Sequence, residues 1–250
     1  MRTPLPATAL AALVAAGLGA VLLPAPRIDA GGAPRPAGVT VAPKGEGVER
    51  YRDENARLGP PSCDEGRVVF FGDSITEGWI HALPELFAGR PWVDRGIGGE
   101  TTARMLARFR QDVLSLEPEV LVLLAGTNDV ACNDGPTTPE TTLANLAAMV
   151  ELARGSGIRV VLATLPPALD FPWRPGLVPA PQIVSLNARI REYARRERIV
   201  LVDYHAAMAD AAGGMRAGLS EDGVHPNRAG YEVMAPLAEA AIREARRLAE

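Results

Sequence analysis

Short apolar runs alternate along the chain with longer segments that have helical spacing. Five runs are predicted to be strands, and four of them consist mostly of Val, Leu, Ile and Phe, as is typical of parallel strands covered on both faces. The predicted strands span residues 68–71, 91–95, 119–126, 158–164 and 199–203, and the main predicted helices span 48–58, 100–116, 138–157, 180–198 and 227–250. This alternation, without internal repeats, predicts an α/β fold with a parallel sheet between two helix layers.

Residues with useful chemistry follow the first three predicted strands. Ligands of such sheets bind beyond the carboxyl ends of the strands. Ser74 follows the first strand, Gly99 ends a glycine-rich turn after the second, and Asn128 follows the third. We therefore expect a hydroxyl, a backbone N–H and a side-chain amide to meet at one edge of the sheet. A helix that begins at Ser74 would favour negative charge there, as an acyl-transfer oxyanion requires.

His225 is the preferred candidate for a general base, because Asp222 lies three residues before it, just ahead of the last predicted helix. A carboxylate at this spacing can bind one imidazole nitrogen and fix the tautomer, while the other nitrogen faces a serine. His81 and His205 are the other candidates. Together, Ser74, His225 and Asp222 predict nucleophilic catalysis.

Other chemistries are not indicated by the composition. The chain has 250 residues, 47% of them hydrophobic, and a net charge of −4 without a basic patch, which argues for one folded domain and against nucleic-acid binding. The histidines and cysteines lack metal-ligand spacing, so neither a metal nor an organic cofactor is expected. Asp73 and Asp129 adjoin the serine and the amide, and we expect local hydrogen bonds from them. The oligomeric state stays open.

The amino-terminal part of the chain differs from the rest. Residues 1–30 contain Arg2 and an apolar run at 9–23, the pattern of a signal peptide or of a retained membrane tether. Residues 31–47 are rich in Pro, Gly and Ala and predict a linker, so the folded domain is expected to span 48–250. We therefore expect an exported protein that is periplasmic, extracellular or membrane-anchored.

The two cysteines raise the question of a disulfide, since an exported chain folds in an oxidising compartment. Cys63 precedes the first predicted strand and Cys132 follows the third, which places them at opposite ends of the sheet. Because bridged Cα atoms must lie within about 7 Å, this placement argues against a bridge without excluding it.

Four ordered blocks resemble the SGNH, or GDSL-type, esterases and lipases. They are Gly-Asp-Ser-Ile-Thr at 72–76, Gly-Ile-Gly-Gly-Glu-Thr-Thr at 96–102, Gly-Thr-Asn-Asp at 126–129 and Asp-Gly-Val-His at 222–225. The resemblance covers most of residues 67–245 and is similar in spacing to compact members related to platelet-activating-factor acetylhydrolase and lysophospholipase-type enzymes. It implies a three-layer α/β/α fold with a five-stranded parallel sheet, flavodoxin-like in outline.

The resemblance also implies a role for each residue. Ser74 corresponds to the nucleophile, with Asp222 and His225 as its acid and base. The N–H groups of Ser74 and Gly99 and the side chain of Asn128 correspond to the oxyanion hole. The implied activity is hydrolysis of carboxylic esters through an acyl-enzyme, without a cofactor.

Substrate choice depends on a proline-rich loop at residues 166–181, which is expected to leave the sheet at the same edge as Ser74. Its prolines restrict it, so that Phe171 and Trp173 could present rigid faces to a ligand, with Trp79 opposite them, or could merely pin the loop. No long apolar insertion offers an acyl tunnel. We therefore expect short acyl groups on a carbohydrate or glycerolipid alcohol, small or part of a polysaccharide.

Alternatives from other classes stay open. A lysophospholipase or thioesterase would act on longer acyl chains with the same machinery. A non-catalytic cell-envelope protein would keep the fold and bind polymer in the same cleft, and a phosphate-binding protein would use the loop after the first strand. Neither of these two binding proteins needs the paired Asp222 and His225.

Overall fold

The computed structural model describes Met1, residues 46–62 and residues 65–248. The predicted signal segment and most of the predicted linker lie outside the described residues. Cys63 also lies outside the described residues, so the expectation that its placement argues against a bridge to Cys132 stays a prediction. Cys132 forms no disulfide with a described residue. Among the described helices, none has the length and apolar character needed to cross a membrane.

Within the described residues, five parallel strands form one sheet. They are β1 Val68–Gly72, β2 Trp92–Gly96, β3 Val120–Leu124, β4 Arg159–Ala163 and β5 Val200–Val202. Their spatial order is β2-β1-β3-β4-β5, so the strand order reverses direction beside β1 and β3. Such a switch point opens a crevice at the carboxyl ends of the strands. The predicted parallel α/β sheet is confirmed, and the switch point lies where the predicted functional residues emerge.

Helices follow the strands on both faces. The described helices are α1 Glu46–Glu49, α2 Arg52–Leu58, α3 Ser74–Glu77, α4 Trp79–Ala82, α5 Thr102–Asp112, α6 Thr127–Val130, α7 Pro139–Gly155, α8 Ala180–Glu197, α9 Tyr204–Met208 and α10 Arg228–Arg247, with 3-10 turns at Pro84–Leu86 and Leu114–Leu116. Side-chain caps start α7 and α10: Thr138 accepts the N–H of Thr141 at 3.2 Å, and Asn227 accepts that of Gly230 at 3.1 Å.

The predicted helix at 48–58 is instead two short helices, α1 and α2. Tyr51 lies between them, is only 4% exposed, and donates a hydrogen bond from its hydroxyl to the carbonyl of Gly96 at 2.5 Å. Turning this large side chain toward the sheet breaks the helix. The prediction was wrong there because the contact joins residues 45 positions apart, which local spacing does not report.

Two apolar clusters fill the space between the sheet and its helices. Val69, Phe71, Leu121 and Leu123 belong to one cluster, which includes residues of α5, α7 and α8. The alternate strand residues belong to the other cluster, with α4 and α10, and include Val68, Phe70, Val120 and Val122. Because both faces of β1 and β3 are buried, these two strands appear in the sequence as unbroken apolar runs. The three-layer α/β/α architecture is confirmed.

A fully buried arginine ties the glycine-rich turn after β2 to the end of β1. The guanidinium of Arg108 donates to Glu100 at 2.5 Å, to Asp112 at 3.1 Å, and to the carbonyls of Gly72 and Arg95 at 2.9 and 3.0 Å. Its charge is compensated by two carboxylates, as a buried cation requires. The backbone segments before Ser74 and before Gly99 are thereby held by one side chain.

Candidate active site

Ser74 is the first residue of α3, directly beyond the carboxyl end of β1. Gly72 has no room for a side chain, because a Cβ there would lie 2.4 Å from the carbonyl oxygen of Leu124. Asp73 then caps the helix, since its carboxylate accepts the N–H of Ile75 at 2.9 Å. This turn leaves the Ser74 side chain partly exposed at a helix amino terminus.

The loop before α10 brings His225 and Asp222 to this serine. Nε2 of His225 lies 2.9 Å from Oγ of Ser74, and Nδ1 lies 2.6 Å from a carboxylate oxygen of Asp222. The other oxygen of Asp222 accepts the backbone N–H groups of Val224 and His225 at 2.9 and 2.8 Å and the hydroxyl of Ser220 at 3.1 Å. The hydrogen bond to Asp222 therefore assigns the ring proton to Nδ1 and leaves Nε2 to accept from Ser74.

The same contacts set the protonation of the pair. Burial lowers the pKa of His225, but the hydrogen bond and negative charge of Asp222, with the charge of Asp73, outweigh it and leave the pKa above its ordinary value of 6.5. Burial alone would raise the pKa of Asp222, yet hydrogen bonds from His225 and Val224 hold it well below its ordinary range. Asp222 is thus ionised wherever His225 titrates, and it stabilises the imidazolium.

Two backbone N–H groups at this edge of the sheet are available to donate hydrogen bonds. Among the described residues, the N–H groups of Ser74 and Gly99 have no hydrogen-bond acceptor. Gly99 has a φ of +77°, a conformation that disfavours any residue with a Cβ. Gly99 is buried, and the turn that contains it is bonded to the end of β1, where the carbonyl of Gly72 accepts the N–H of Ile97 at 3.1 Å.

Asn128 is the second residue of α6 and is 3% exposed. Its side-chain nitrogen donates to the carbonyl of Glu100 at 3.0 Å, and lies 3.4 Å from a carboxylate oxygen of Asp73. Its side-chain oxygen accepts the amide of Asn133 at 2.7 Å. One N–H of Asn128 is therefore firmly bonded and the other only loosely held.

The carboxylates next to the serine and the amide are engaged locally, as the sequence predicted. Burial raises the pKa of Asp73 to about 7, against the hydrogen bond from Ile75 that lowers it. Asp129 accepts both the N–H and the hydroxyl of Thr102, at 2.8 and 2.5 Å, and burial raises its pKa. These contacts fix α3, α5 and α6 against one another at the sheet edge.

One aromatic residue of the proline-rich loop, Trp173, lies beside His225. The Trp173 ring is partly exposed, and its centroid is 5.7 Å from that of His225. Its Nε1 donates to the side-chain oxygen of Asn133 at 3.3 Å. Trp173 also stacks on Phe171, with ring centroids 5.0 Å apart. Of the three aromatic residues predicted to contact substrate, Trp173 alone lies at the site with an exposed surface.

The other two aromatic predictions were wrong. Phe171 is 1% exposed and belongs to the apolar core, where it supports Trp173. Trp79 is 2% exposed and packs on Tyr231, with ring centroids 4.6 Å apart, in the cluster on the opposite face of the sheet. The hydrophobic effect accounts for both, because these rings bury more apolar surface against the sheet than they would in the cleft.

The remaining candidates lie elsewhere. His81 is exposed on α4, and the backbone N–H of His205 donates to Thr164 at the end of β4. No group of three or more potential metal ligands occurs in the described ranges. Sequence reasoning missed Asn133, which bonds to Asn128 and to the carbonyl of Gly99 at 3.3 Å. No periodicity or motif marks this residue, which lies in an irregular loop.

Comparisons with known proteins show which family this chain resembles. Residues 70–233 match the model of the GDSL-like lipase/acylhydrolase family. A crystal structure of a GDSL-like lipase from Bacteroides thetaiotaomicron is 43% identical, with a TM-score of 0.77, over 79% of this chain and 98% of that one. Esterase TesA of Pseudomonas aeruginosa is 27% identical over 64% of this chain and 79% of its own length.

A further relative, an uncharacterized lipoprotein, YqeF, of Bacillus subtilis, is 33% identical over 127 residues. The match covers 42% of this chain and about half of the lipoprotein, 52% of its length. The family match spans most of the folded part of the chain and includes the serine, the glycine-rich turn and the histidine. The chain therefore belongs to the GDSL-like lipase/acylhydrolase family and is a carboxylic ester hydrolase.

Proposed function

We propose that this enzyme hydrolyses esters with short acyl groups on a carbohydrate or glycerolipid alcohol, through a Ser74–His225–Asp222 triad and an acyl-enzyme. The observation that carries the proposal is the unbroken hydrogen-bonded series from Ser74 Oγ through His225 to Asp222, with distances of 2.9 and 2.6 Å. A nucleophile, a base and an orienting acid in this order are the requirements of a serine esterase.

In the first half of the reaction, Ser74 Oγ attacks the ester carbonyl while Nε2 of His225 accepts its proton. The oxyanion is bound by the N–H groups of Ser74 and Gly99 and by the loosely held N–H of Asn128. Asp222 stays ionised and stabilises the imidazolium. Nε2 of His225 then donates the proton to the leaving alcohol, and the acyl group remains on Ser74.

In the second half, water replaces the alcohol. Nε2 of His225 accepts a proton from the water as the water attacks the acyl carbonyl, and the same donors bind the second oxyanion. The proton returns to Ser74 Oγ as the carboxylic acid leaves. Neither step requires a group beyond these side chains and backbone N–H groups.

The position of Trp173 supports a role on the alcohol side of the substrate. The leaving oxygen must approach Nε2 of His225, and the indole lies beside this imidazole at 5.7 Å between centroids. Phe171 stacks on the indole and restricts its movement. An aromatic face fixed in this way suits the apolar face of a sugar ring or a glycerol backbone.

The surroundings of the oxyanion donors support a short acyl group. Asn128, Asn133 and the carbonyls of Gly99 and Glu100 form a compact hydrogen-bonded set beside the donors. A long acyl chain gains most of its binding free energy by burial against apolar groups. This polar set offers little apolar surface for a long chain to bury against. An acetyl or butyryl group is small enough to bind without it.

Export is part of the proposal. The relative from Bacillus subtilis is a lipoprotein by name, and residues 1–30 of this chain have the composition of a signal peptide or tether. An exported enzyme would meet acylated polysaccharides and lipids outside the cytoplasm.

The pH dependence follows from the raised pKa of His225. Since catalysis needs the neutral imidazole, kcat/KM should fall as pH decreases through a midpoint above 6.5. Asp222→Asn should move the midpoint to lower pH, because the group that raises the pKa is lost while the burial that lowers it remains. A kcat/KM profile between about pH 5 and 9 measures both values.

Glu221→Gln is the matched control for this change. It removes a neighbouring negative charge that bonds to Asn227 and not to the imidazole. Its midpoint should stay close to that of the unchanged enzyme. A flat profile, or equal shifts in both variants, would contradict His225 as the base.

The acyl preference is tested with p-nitrophenyl esters of two to sixteen carbons on the full chain. We expect kcat/KM to be highest at two to four carbons, and an optimum at eight carbons or more would favour the lysophospholipase or thioesterase alternative. For the alcohol, Trp173→Ala should lower kcat/KM for an acetylated sugar relative to ethyl acetate by about 3–10-fold. Trp173→Phe keeps a ring and should retain the ratio, and an unchanged ratio in Trp173→Ala would assign Trp173 a structural role.

A further inference from the structure

Asn133 connects three parts of the active site that the chain brings together from far apart. It lies in the loop after α6, and its side-chain nitrogen donates to the side-chain oxygen of Asn128 at 2.7 Å and to the carbonyl of Gly99 at 3.3 Å. Its side-chain oxygen accepts Nε1 of Trp173 at 3.3 Å. One amide thus contacts both donor segments of the oxyanion hole and the aromatic residue beside His225.

These bonds have a direction. An indole N–H can only donate, so Trp173 requires an oxygen from Asn133 and thereby turns the Asn133 nitrogen toward Asn128. That nitrogen in turn requires the oxygen of Asn128, which directs the Asn128 nitrogen toward the carbonyl of Glu100, 3.0 Å away. The series therefore selects one of the two orientations of the Asn128 amide.

The selected orientation is the one that oxyanion binding needs. An amide turned by 180° has nearly the same shape, but it would place its oxygen against the carbonyl of Glu100 and beside the oxyanion. A hydrogen bond accepted by the Asn128 oxygen also polarises the amide and makes its N–H groups better donors. The bond from Asn133 to Gly99 holds the second donor segment to the first.

The loop that carries Asn133 is itself held in place. Cys132 has a φ of +54°, and its carbonyl accepts the guanidinium of Arg174 at 2.7 Å. Asp134, the residue after Asn133, accepts the hydroxyl of Thr101 at 2.6 Å. These contacts join the loop to the proline-rich segment on one side and to the turn after β2 on the other.

We propose that Asn133 is a positioning residue for the oxyanion hole, and that Trp173 sets its orientation through the indole N–H. The inference rests on the proposed role of Asn128 as an oxyanion donor. Under this proposal Trp173 has a second role, the orientation of Asn133, which is separate from any contact between its ring and the alcohol.

A double-mutant cycle on the full chain tests the proposal. Asn133→Ala should lower kcat by about 10-fold and leave KM within about 2-fold, because the lost orientation matters most once the oxyanion forms. In the Asn128→Ala background, the same change should cost less than about 3-fold, since the group that it orients is absent. Thermal unfolding of each variant is measured alongside.

Two further variants decide the result even if Asn133→Ala folds poorly. Asn133→Asp keeps the shape and still accepts from Trp173 but cannot donate to Asn128, so its kcat should fall at least as far. Trp173→Phe should lower kcat about 3-fold for every ester, and this loss should vanish in the Asn133→Ala background.

The failures are distinguishable. If Asn128→Ala leaves kcat unchanged, the oxyanion role of Asn128 is wrong, and this inference falls with it. Suppose that Asn128→Ala reduces kcat strongly, and that Asn133→Ala reduces kcat by the same factor in the Asn128→Ala background as in the unchanged enzyme. The two residues then act independently, and only the inference is overturned. A change confined to KM or to thermal stability would likewise make Asn133 a structural residue.

Discussion

Ser74→Ala and His225→Ala should each reduce kcat by at least about 10³-fold, and the double variant should be little slower than either single one. Ser74 and His225 lie within one hydrogen bond, 2.9 Å. A serine without a base is a poor nucleophile, and a base without the serine has nothing to activate. Each change therefore removes the same step. Hydrolysis of p-nitrophenyl acetate by the full chain measures all three rates.

His81→Ala is the matched control, because this histidine is exposed on α4, away from the serine. It should retain ordinary activity. A serine-reactive fluorophosphonate adds an independent readout: the unchanged protein should be labelled and Ser74→Ala should not. Losses that multiply in the double variant would contradict a joint role for Ser74 and His225, and an unlabelled wild-type protein would favour a binding protein on the same fold.

Asn128→Ala should lower kcat by about 10²–10³-fold, equivalent to ~2.7–4 kcal/mol, with little change in KM. Asn128 is buried, and its side-chain nitrogen has one firm bond, at 3.0 Å, and one weak contact, at 3.4 Å. The weakly held N–H can strengthen its bond as negative charge develops on the substrate oxygen. Stabilisation that appears only in the transition state changes kcat and not ground-state binding.

Asn128→Asp provides a shape-matched comparison. A carboxylate has no N–H to offer and repels the oxyanion, so its kcat should be no higher than that of Asn128→Ala. Steady-state kinetics of both variants with one short-chain ester separates kcat from KM. A variant that loses affinity while keeping kcat would reassign Asn128 to substrate binding.

Hydrogen bonds connect the proposed alcohol contact to the proposed oxyanion donors. Trp173 lies next to His225, bonds to Asn133, and through Asn133 reaches both Asn128 and Gly99. An alcohol that contacts the indole would therefore bind to Trp173, the residue that also orients the donors through Asn133. Because these groups are already held in place, little entropy is lost in ordering them when substrate binds.

The sequence predicted the strands well because both of their faces are buried. Continuous burial leaves an apolar run that can be recognised locally, as in Val68–Gly72 and Val120–Leu124. Local rules also predicted that helices begin near residues 138 and 227, where Thr138 and Asn227 each bond a residue three positions ahead. Such features depend on neighbours in the sequence.

Aromatic residues were predicted less well, since their positions depend on contacts between distant segments. Trp79 packs on Tyr231 and Tyr51 bonds to Gly96, and neither pairing can be inferred from spacing. The result is a core tryptophan in place of a predicted substrate contact, and two helices in place of one.

The order of strands and helices along the chain, the family and the residues expected at the sheet edge can be read from the sequence, because backbone geometry and burial patterns are local. The 2.9 Å contact of Ser74 with His225, the orientation of the Asn128 amide through Asn133, and the raised pKa of His225 arise only in the folded chain. Each of these depends on distances between side chains from separate loops. Hydrogen bonds and charges act over a few ångströms, so their effect is set when folding brings those loops together.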